Sequence, residues 1–166
     1  MSSSSLPLDG QAAIVTGSSR NVGRAIALAL AADGAAIVVN AMNDNEGATA
    51  VVAEIEAAGG KAIKHMADVT DEAAVGAAVD EVEERVGPID VLVNNAAVPG
   101  IDQRVHEATI ANWQSVFATN LFAPMVLTRE ALSQAMIPTG SGNIQFVSSA
   151  AARLVQPKKA HYAAAK

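Results

Sequence analysis

Residues 12–34 read AAIVTGSSRNVGRAIALALAADG, and their reading decides the fold. Residues 12–15 are an apolar run ended by Thr16-Gly17, the pattern of a fully buried strand. From Val22 the period changes. Val22, Ile26, Ala29 and Leu30 share one helical face, and Gly34 stands where a helix stops. Between strand and helix lies Gly17-Ser18-Ser19-Arg20-Asn21-Val22-Gly23. A buried strand, a glycine turn and a helix in this order aim backbone N–H groups and the positive end of a helix dipole at one spot, a seat for phosphate.

The 166 residues are 51% hydrophobic and 17% charged, which suits one core and one domain. A formal net charge of −6 excludes a nucleic-acid surface, which needs clustered Lys and Arg. The chain has no cysteine, so disulfides, thiol catalysis and zinc–thiolate sites are excluded. His65, His106 and His161 share no ligand spacing, and no metal is expected. The apolar stretches are Ala-rich and interrupted by charge, unlike a membrane span. Met1-Ser-Ser-Ser-Ser lacks the basic start and apolar core of a signal peptide. Residues 1–6 are therefore expected to form a disordered tail on a single domain, 7–166, in a cytoplasmic protein.

Strand and helix patterns then alternate. Residues 36–40 read as a second strand, and Asn43-Asp44-Asn45 offers caps for a helix running to about residue 58, stopped by Gly59-Gly60. Residues 62–66 are a third strand, alternating as an edge strand does. Thr70 is placed to cap the next helix, whose stripe is Ala74, Val75, Ala78, Val79, Val82 and Val86, ended by Gly87-Pro88. Residues 89–93 are a fourth strand with an odd Asp90 near its start. Thr109 caps a helix through Trp113 and Phe117 towards Met136, with Pro124 as a kink. Residues 137–142 are a turn cluster, 143–147 a fifth strand, and Ala160 opens another helix. Strands joined by helix-length crossovers require a doubly wound α/β fold, a parallel sheet with helices on both faces. Its ligands bind at the carboxyl ends of the strands.

Those ends carry, in turn, the glycine loop, Ala41-Met42, Asp68-Val69, Asn94-Asn95-Ala96-Ala97 and Ser148-Ser149. The carboxylate that would bind a ribose 2′-hydroxyl is absent at Ala41. Tyr162 and Lys166 are four apart and share a helical face. An ammonium beside a phenol favours loss of its proton, which makes Tyr162 a proton donor or acceptor. His161 points about 100° away from Tyr162 on a helix and stays outside the catalytic set.

These residues carry a resemblance. The chain is similar to the short-chain dehydrogenases/reductases from about residue 7 to residue 166. Thr16-Gly17-Ser18-Ser19-Arg20-Asn21-Val22-Gly23 matches the family's TGxxxGxG motif, with Asn21 in place of the middle glycine. Asn94-Asn95-Ala96-Ala97 stands for its NNAG motif, with alanine last. Asn120, seven residues after Trp113, falls where the family has an active-site asparagine, and Ser149 precedes Tyr162 by the family's thirteen residues. Tyr162-Ala163-Ala164-Ala165-Lys166 is its YxxxK motif.

The resemblance implies a Rossmann fold and hydride transfer between a nicotinamide cofactor and a small-molecule carbonyl or alcohol. It implies that Asn120, Ser149, Tyr162 and Lys166 are catalytic. Tyr162 gives the proton, Ser149 holds the carbonyl oxygen, Lys166 holds the nicotinamide ribose, and Asn120 supports a water relay. The cofactor is expected along Gly17, Ser19, Arg20, Asn21, Val22, Gly23, Asp68, Val69, Asn94, Ala96, Tyr162 and Lys166. Arg20 resembles the basic residue used for a 2′-phosphate, so NADP(H) is favoured over NAD(H), and a homo-oligomer, dimer or tetramer, is implied. Family members continue beyond this point, so the sequence is expected to be part of a longer enzyme lacking here its C-terminal strands. A polypeptide of these residues alone is expected to be a poor catalyst. The alternative reading is a non-catalytic dinucleotide-binding or assembly module.

Overall fold

The computed structural model describes residues 6–166, so the expectation for residues 1–5 lies outside the described residues. Leu6, the last residue of the expected tail 1–6, is described, and its carbonyl accepts a hydrogen bond from the Asp9 N–H at 3.1 Å. The five expected strands are β1 Ala12–Val15, β2 Ala36–Ala41, β3 Lys61–Met66, β4 Ile89–Asn94 and β5 Asn143–Phe146. All pair in parallel, in the order β3-β2-β1-β4-β5. The fold is a doubly wound parallel sheet. The chain runs outward from β1 to β3 and then returns to the far side of β1 as β4, so the direction of winding switches between β1 and β4, where such sheets bind ligands.

Both faces of the three central strands, β1, β2 and β4, are buried because these strands are largely apolar, whereas the edge strands β3 and β5 carry polar residues and are more exposed. On one face Ala13, Val15, Ile37 and Val39 pack against α1 Asn21–Ala32 and α2 Asn45–Ala57, through Ala27, Ala48, Val51 and Ile55. On the other, Ile14, Val38 and Leu92 meet α3 Glu72–Val86 and α5 Ala123–Ala131, through Val75, Val79, Val126 and Leu127. The register shift of β1 against β4 falls at Asp90, and this explains the odd residue. The backbone of Asp90 has no partner in β1, yet its side-chain Oδ2 accepts the Ala12 N–H at 2.9 Å.

Four expectations need correction. The buried stripe of α1 runs through Gly23 and Ala27, not Val22 and Ala29, because Gly23 packs on the loop and turns Val22 outward. Asp71 caps α3, accepting the Ala74 N–H at 3.1 Å, because the Thr70 hydroxyl is held by Asp68 at 2.8 Å. In the α3 stripe Val75, Val79 and Val82 are buried, whereas the Ala78 side chain lies outside the described residues. Residues 137–139 are helical, not turn, and the stop is Gly140 in the left-handed region at φ 70°. Pro124 does not simply kink its helix: α4 Ile110–Phe117 runs into a π-helical turn, Ala118–Phe122, before α5, and a second π-helical turn, Leu132–Met136, leads into α6 Ile137–Thr139. The last helix, α7, is Ala160–Ala165.

Candidate functional site

The loop after β1 is fixed by short polar side chains. Thr16 Oγ1 donates to the Val93 carbonyl at 3.3 Å and accepts the N–H groups of Asn95 and Ala96, each at 3.0 Å. Asn95 Nδ2 returns two bonds, to the carbonyls of Thr16 at 2.8 Å and Gly17 at 3.2 Å. Asn40, at the end of β2, accepts the Gly17 N–H at 3.2 Å, and Ser18 Oγ donates to the Val15 carbonyl at 2.6 Å. Three strand ends are thus sewn together, and the backbone is aimed before any ligand arrives.

Within the loop Asn21 sits at φ 51°, a left-handed conformation that asparagine tolerates better than most residues, so it fills the family's middle glycine position. Gly23 is required by contact. A Cβ there would stand 2.5 Å from Asn95 Nδ2 and 2.9 Å from Ser18 Cα, and against the Gly17 carbonyl oxygen. The helix start can approach the loop this closely only without a side chain.

Above this loop lies a cleft of about 650 Å³, of a size that takes an elongated ligand. Gly17, Ser19, Arg20, Asn21, Val22, Gly23, Asp68, Val69 and Ala96 line it, which brings together nine of the residues singled out from the sequence. Val22, turned out of the α1 stripe and 58% exposed, is one of them. A somewhat larger hollow, about 710 Å³, opens at the amino ends of the strands beside Leu28, Ala31, Ile55 and Val86. It has no strand-to-helix turn to supply convergent N–H groups, and the carboxyl-end cleft is the better binding site on those grounds.

Asn94 is not on this cleft. Its side chain is buried beneath it, in a hollow of about 450 Å³ shared with Ala96, Asn120, Thr128, Ser148 and Lys166. Neither of its amide atoms has a hydrogen-bond partner, and the Thr128 hydroxyl is likewise unpartnered. Asn120, buried within the first π-helical turn, is bonded through both amide atoms to the backbone of Val98. It therefore pins the loop that follows β4.

At the end of β5, Ser149 Oγ accepts the Ala151 N–H at 3.2 Å, and Ser148 Oγ donates to the Lys166 carbonyl at 3.0 Å. Lys166 Nζ donates to the Val147 carbonyl at 2.6 Å. Burial holds the Lys166 ammonium below its ordinary range. Tyr162 is half-buried on α7, and neither it nor Ser149 lines the two carboxyl-end hollows.

Three contributors escaped the sequence reading. His161 is 1% exposed, with Nε2 3.1 Å from the Pro99 carbonyl oxygen and its ring edge-on to Trp113. Asn112 Oδ1 accepts the Ile101 N–H at 2.9 Å and its Nδ2 donates to the Ile101 carbonyl at 2.8 Å. Asp44, read only as a cap, also lines the cleft. The signal for Asp44 was its place about twenty residues past the last glycine of the loop.

The chain matches the short chain dehydrogenase family over residues 11–166. It is 40% identical over 159 residues to a 3-oxoacyl-[acyl-carrier-protein] reductase of Synechocystis sp., covering 96% of this chain and 64% of that protein. It is 34% identical over 159 residues to glucose 1-dehydrogenase 2 of Bacillus subtilis, covering 96% and 62%. Among solved structures, a metagenomic short-chain oxidoreductase in complex with NADP superposes with a TM-score of 0.89 at 42% identity, over 96% of this chain and 71% of that one. The chain thus spans somewhat less than two thirds of the length of these curated relatives. With its sheet order, its glycine loop and a match over nearly its whole length, this chain belongs to the short chain dehydrogenase family.

Proposed function

We propose that the protein is an NADP(H)-dependent oxidoreductase that moves a hydride between the nicotinamide and a carbonyl or alcohol carbon. The observation that carries this reading is the cleft at the β1–β4 switch point, whose lining gathers the loop amides, Ser19, Arg20 and the adenine-side pair Asp68 and Val69. The residues fit a dinucleotide: the loop brings backbone to the ligand at Gly17 and Gly23, and the N-terminus of α1 offers unpaired N–H groups to a pyrophosphate. When bound, the reduced nicotinamide supplies the hydride.

The chain's own residues do the rest. Tyr162 gives its proton to the carbonyl oxygen of the substrate, and the Ser149 hydroxyl hydrogen-bonds that oxygen and orients it. Lys166 holds the nicotinamide ribose. Asn94 and Ala96 support the cofactor from the end of β4, and Asn120 steadies Val98 beside it and sustains a water relay to Lys166. Arg20, together with the lack of an acid at Ala41, supports NADP(H) over NAD(H), and the NADP found in the metagenomic relative points the same way. Exposed Leu121, Phe122 and Met125 fit the assembly of a homo-oligomer.

Fluorescence titration with NADPH tests the cleft, and Tyr162→Phe tests the chemistry. Against a panel of aldehydes and ketones, NADPH consumption is expected to fall by about a thousandfold in the variant, with NADPH binding retained. Equal turnover in both proteins would remove Tyr162 from the mechanism. Tight binding with no turnover in the parent protein would assign a non-catalytic dinucleotide module instead.

A further inference from the structure

α7 has only six residues, too few for a helix to hold itself in water, so its packing decides where Tyr162 and Lys166 stand. Three ties join the start of α7 and the two residues before it to the loop after β4. His161 Nε2 lies 3.1 Å from the Pro99 carbonyl oxygen, and because a carbonyl only accepts, that nitrogen carries the proton. The Gln103 N–H donates to the Lys158 carbonyl at 3.1 Å, and Lys159 forms an ion pair with Asp102. Of the three, only the His161 bond is made from within the helix. A Cβ on Gly100, at φ 67°, would stand 2.7 Å from His161 Nε2, so the loop rests directly on the imidazole. The same loop reaches the cleft one residue before Pro99: Val98 lines it, held by both amide atoms of Asn120.

We propose that His161 is a positioning residue for the proton transfer: by holding Pro99 it sets how far the Tyr162 phenol stands from the cleft. The inference rests on the reading given above, in which Tyr162 is the proton donor. Successive side chains on a helix point about 100° apart, so His161 faces the loop while Tyr162 faces elsewhere, and the backbone between them carries the placement. Two short links, Asn120 to Val98 and Pro99 to His161, thus run from the cleft wall to the residue beside the phenol. The imidazole is buried edge-on to Trp113, shut off from bulk water that could otherwise take over its bond. Loss of that bond frees a short helix to shift, and a displacement of about 1 Å at a reacting group slows a reaction by about a hundredfold.

The test compares His161→Gln, whose side-chain N–H reaches the place of Nε2, with His161→Leu, which fills the space and donates nothing. The kcat, and the KM for NADPH, are measured with the best substrate from the panel of aldehydes and ketones. The leucine variant is expected to lose about a hundredfold in kcat with the KM for NADPH unchanged, and the glutamine variant to stay within about threefold of the parent. Emission from Trp113, the chain's one tryptophan, shows whether the leucine variant has folded. If it has not, His161→Asn, the same amide one methylene short of Pro99, takes its place with the same expectation. Equal kcat in the glutamine variant and the variant that cannot reach Pro99, or a loss confined to the KM for NADPH, overturns the proposal. A parent protein that binds NADPH but turns nothing over overturns the reading of Tyr162 as proton donor, and this inference with it.

Discussion

Asn120 spends its whole side-chain amide on one residue: Oδ1 accepts the Val98 N–H at 2.9 Å, and Nδ2 donates to the Val98 carbonyl at 3.0 Å. At 6% exposure it is largely shut off from bulk water, which could otherwise take over these bonds. Asn120→Ala is therefore expected to strand a buried donor and acceptor, each costing about 1–3 kcal/mol. Urea unfolding reads the loss. Asn120→Asp keeps the acceptor and should fall between the two, whereas an alanine variant within about 0.5 kcal/mol of the parent would show that the clamp contributes nothing.

Asp90 is the second place where one side chain completes a backbone ladder. Without it, the buried Ala12 N–H at the start of β1 has no acceptor at the register shift. Asp90→Ala is expected to cost about 1–3 kcal/mol, and Asp90→Asn, which retains an accepting oxygen, much less. Similar losses in both variants would mean that the charge, not the hydrogen bond, is what matters there.

Gly23→Ala tests the approach of α1 to its loop. The added methyl meets Asn95 Nδ2 at 2.5 Å and Ser18 Cα at 2.9 Å, so the loop has to shift. Overpacking of this kind costs about 1–3 kcal/mol. NADPH affinity is expected to drop by at least about tenfold, because the donors aimed at the pyrophosphate move with the loop. Full-strength binding by the variant would place the nucleotide elsewhere.

Lys166 carries a pH dependence. Burial lowers its pKa in the folded protein, so between that value and the ordinary lysine value the unfolded chain binds more protons. Stability from this group therefore rises with pH across that alkaline window, and below it the folded state bears the cost of burying the ammonium. The difference in unfolding free energy between the parent and Lys166→Met, followed from neutral to alkaline pH, is expected to move in the parent's favour as pH rises. A flat difference would mean that the ammonium is fully hydrated.

Much of this was legible in the sequence. Uninterrupted apolar runs such as Ile37-Val38-Val39 and the breaks at Gly34, Gly59 and Gly87 mark strands buried on both faces and helices that stop, and this fixes a parallel doubly wound sheet. Nine cofactor residues lay at strand ends and do line one cleft. What escaped is what depends on partners distant in sequence. The phase of α1 is set by Gly23 meeting Gly17 and Asn95, and the cap of α3 by Thr70 being captured by Asp68. His161 was read only as pointing away from Tyr162, and its burial against the Pro99 carbonyl, on a separate loop, could not be seen from the sequence. Asp44 was legible as a cap, but its place on the cleft lining exists only once β1 and β2 lie side by side.

The two π-helical turns explain one more regularity. Asn112, Val116 and Asn120, then Ala123, Leu127, Ala131 and Ala135, are buried at steps of almost always four. In a plain α-helix each such step overshoots a full turn by about 40°, and the inward row would wind off the sheet. The wide turns at Ala118–Phe122 and Leu132–Met136 take up the surplus and keep the row in phase. Removing one residue from either turn would act as a frameshift in three dimensions, swinging every later side chain by about 100°. In this segment the number of residues, and not only their identity, decides which side chains face the sheet.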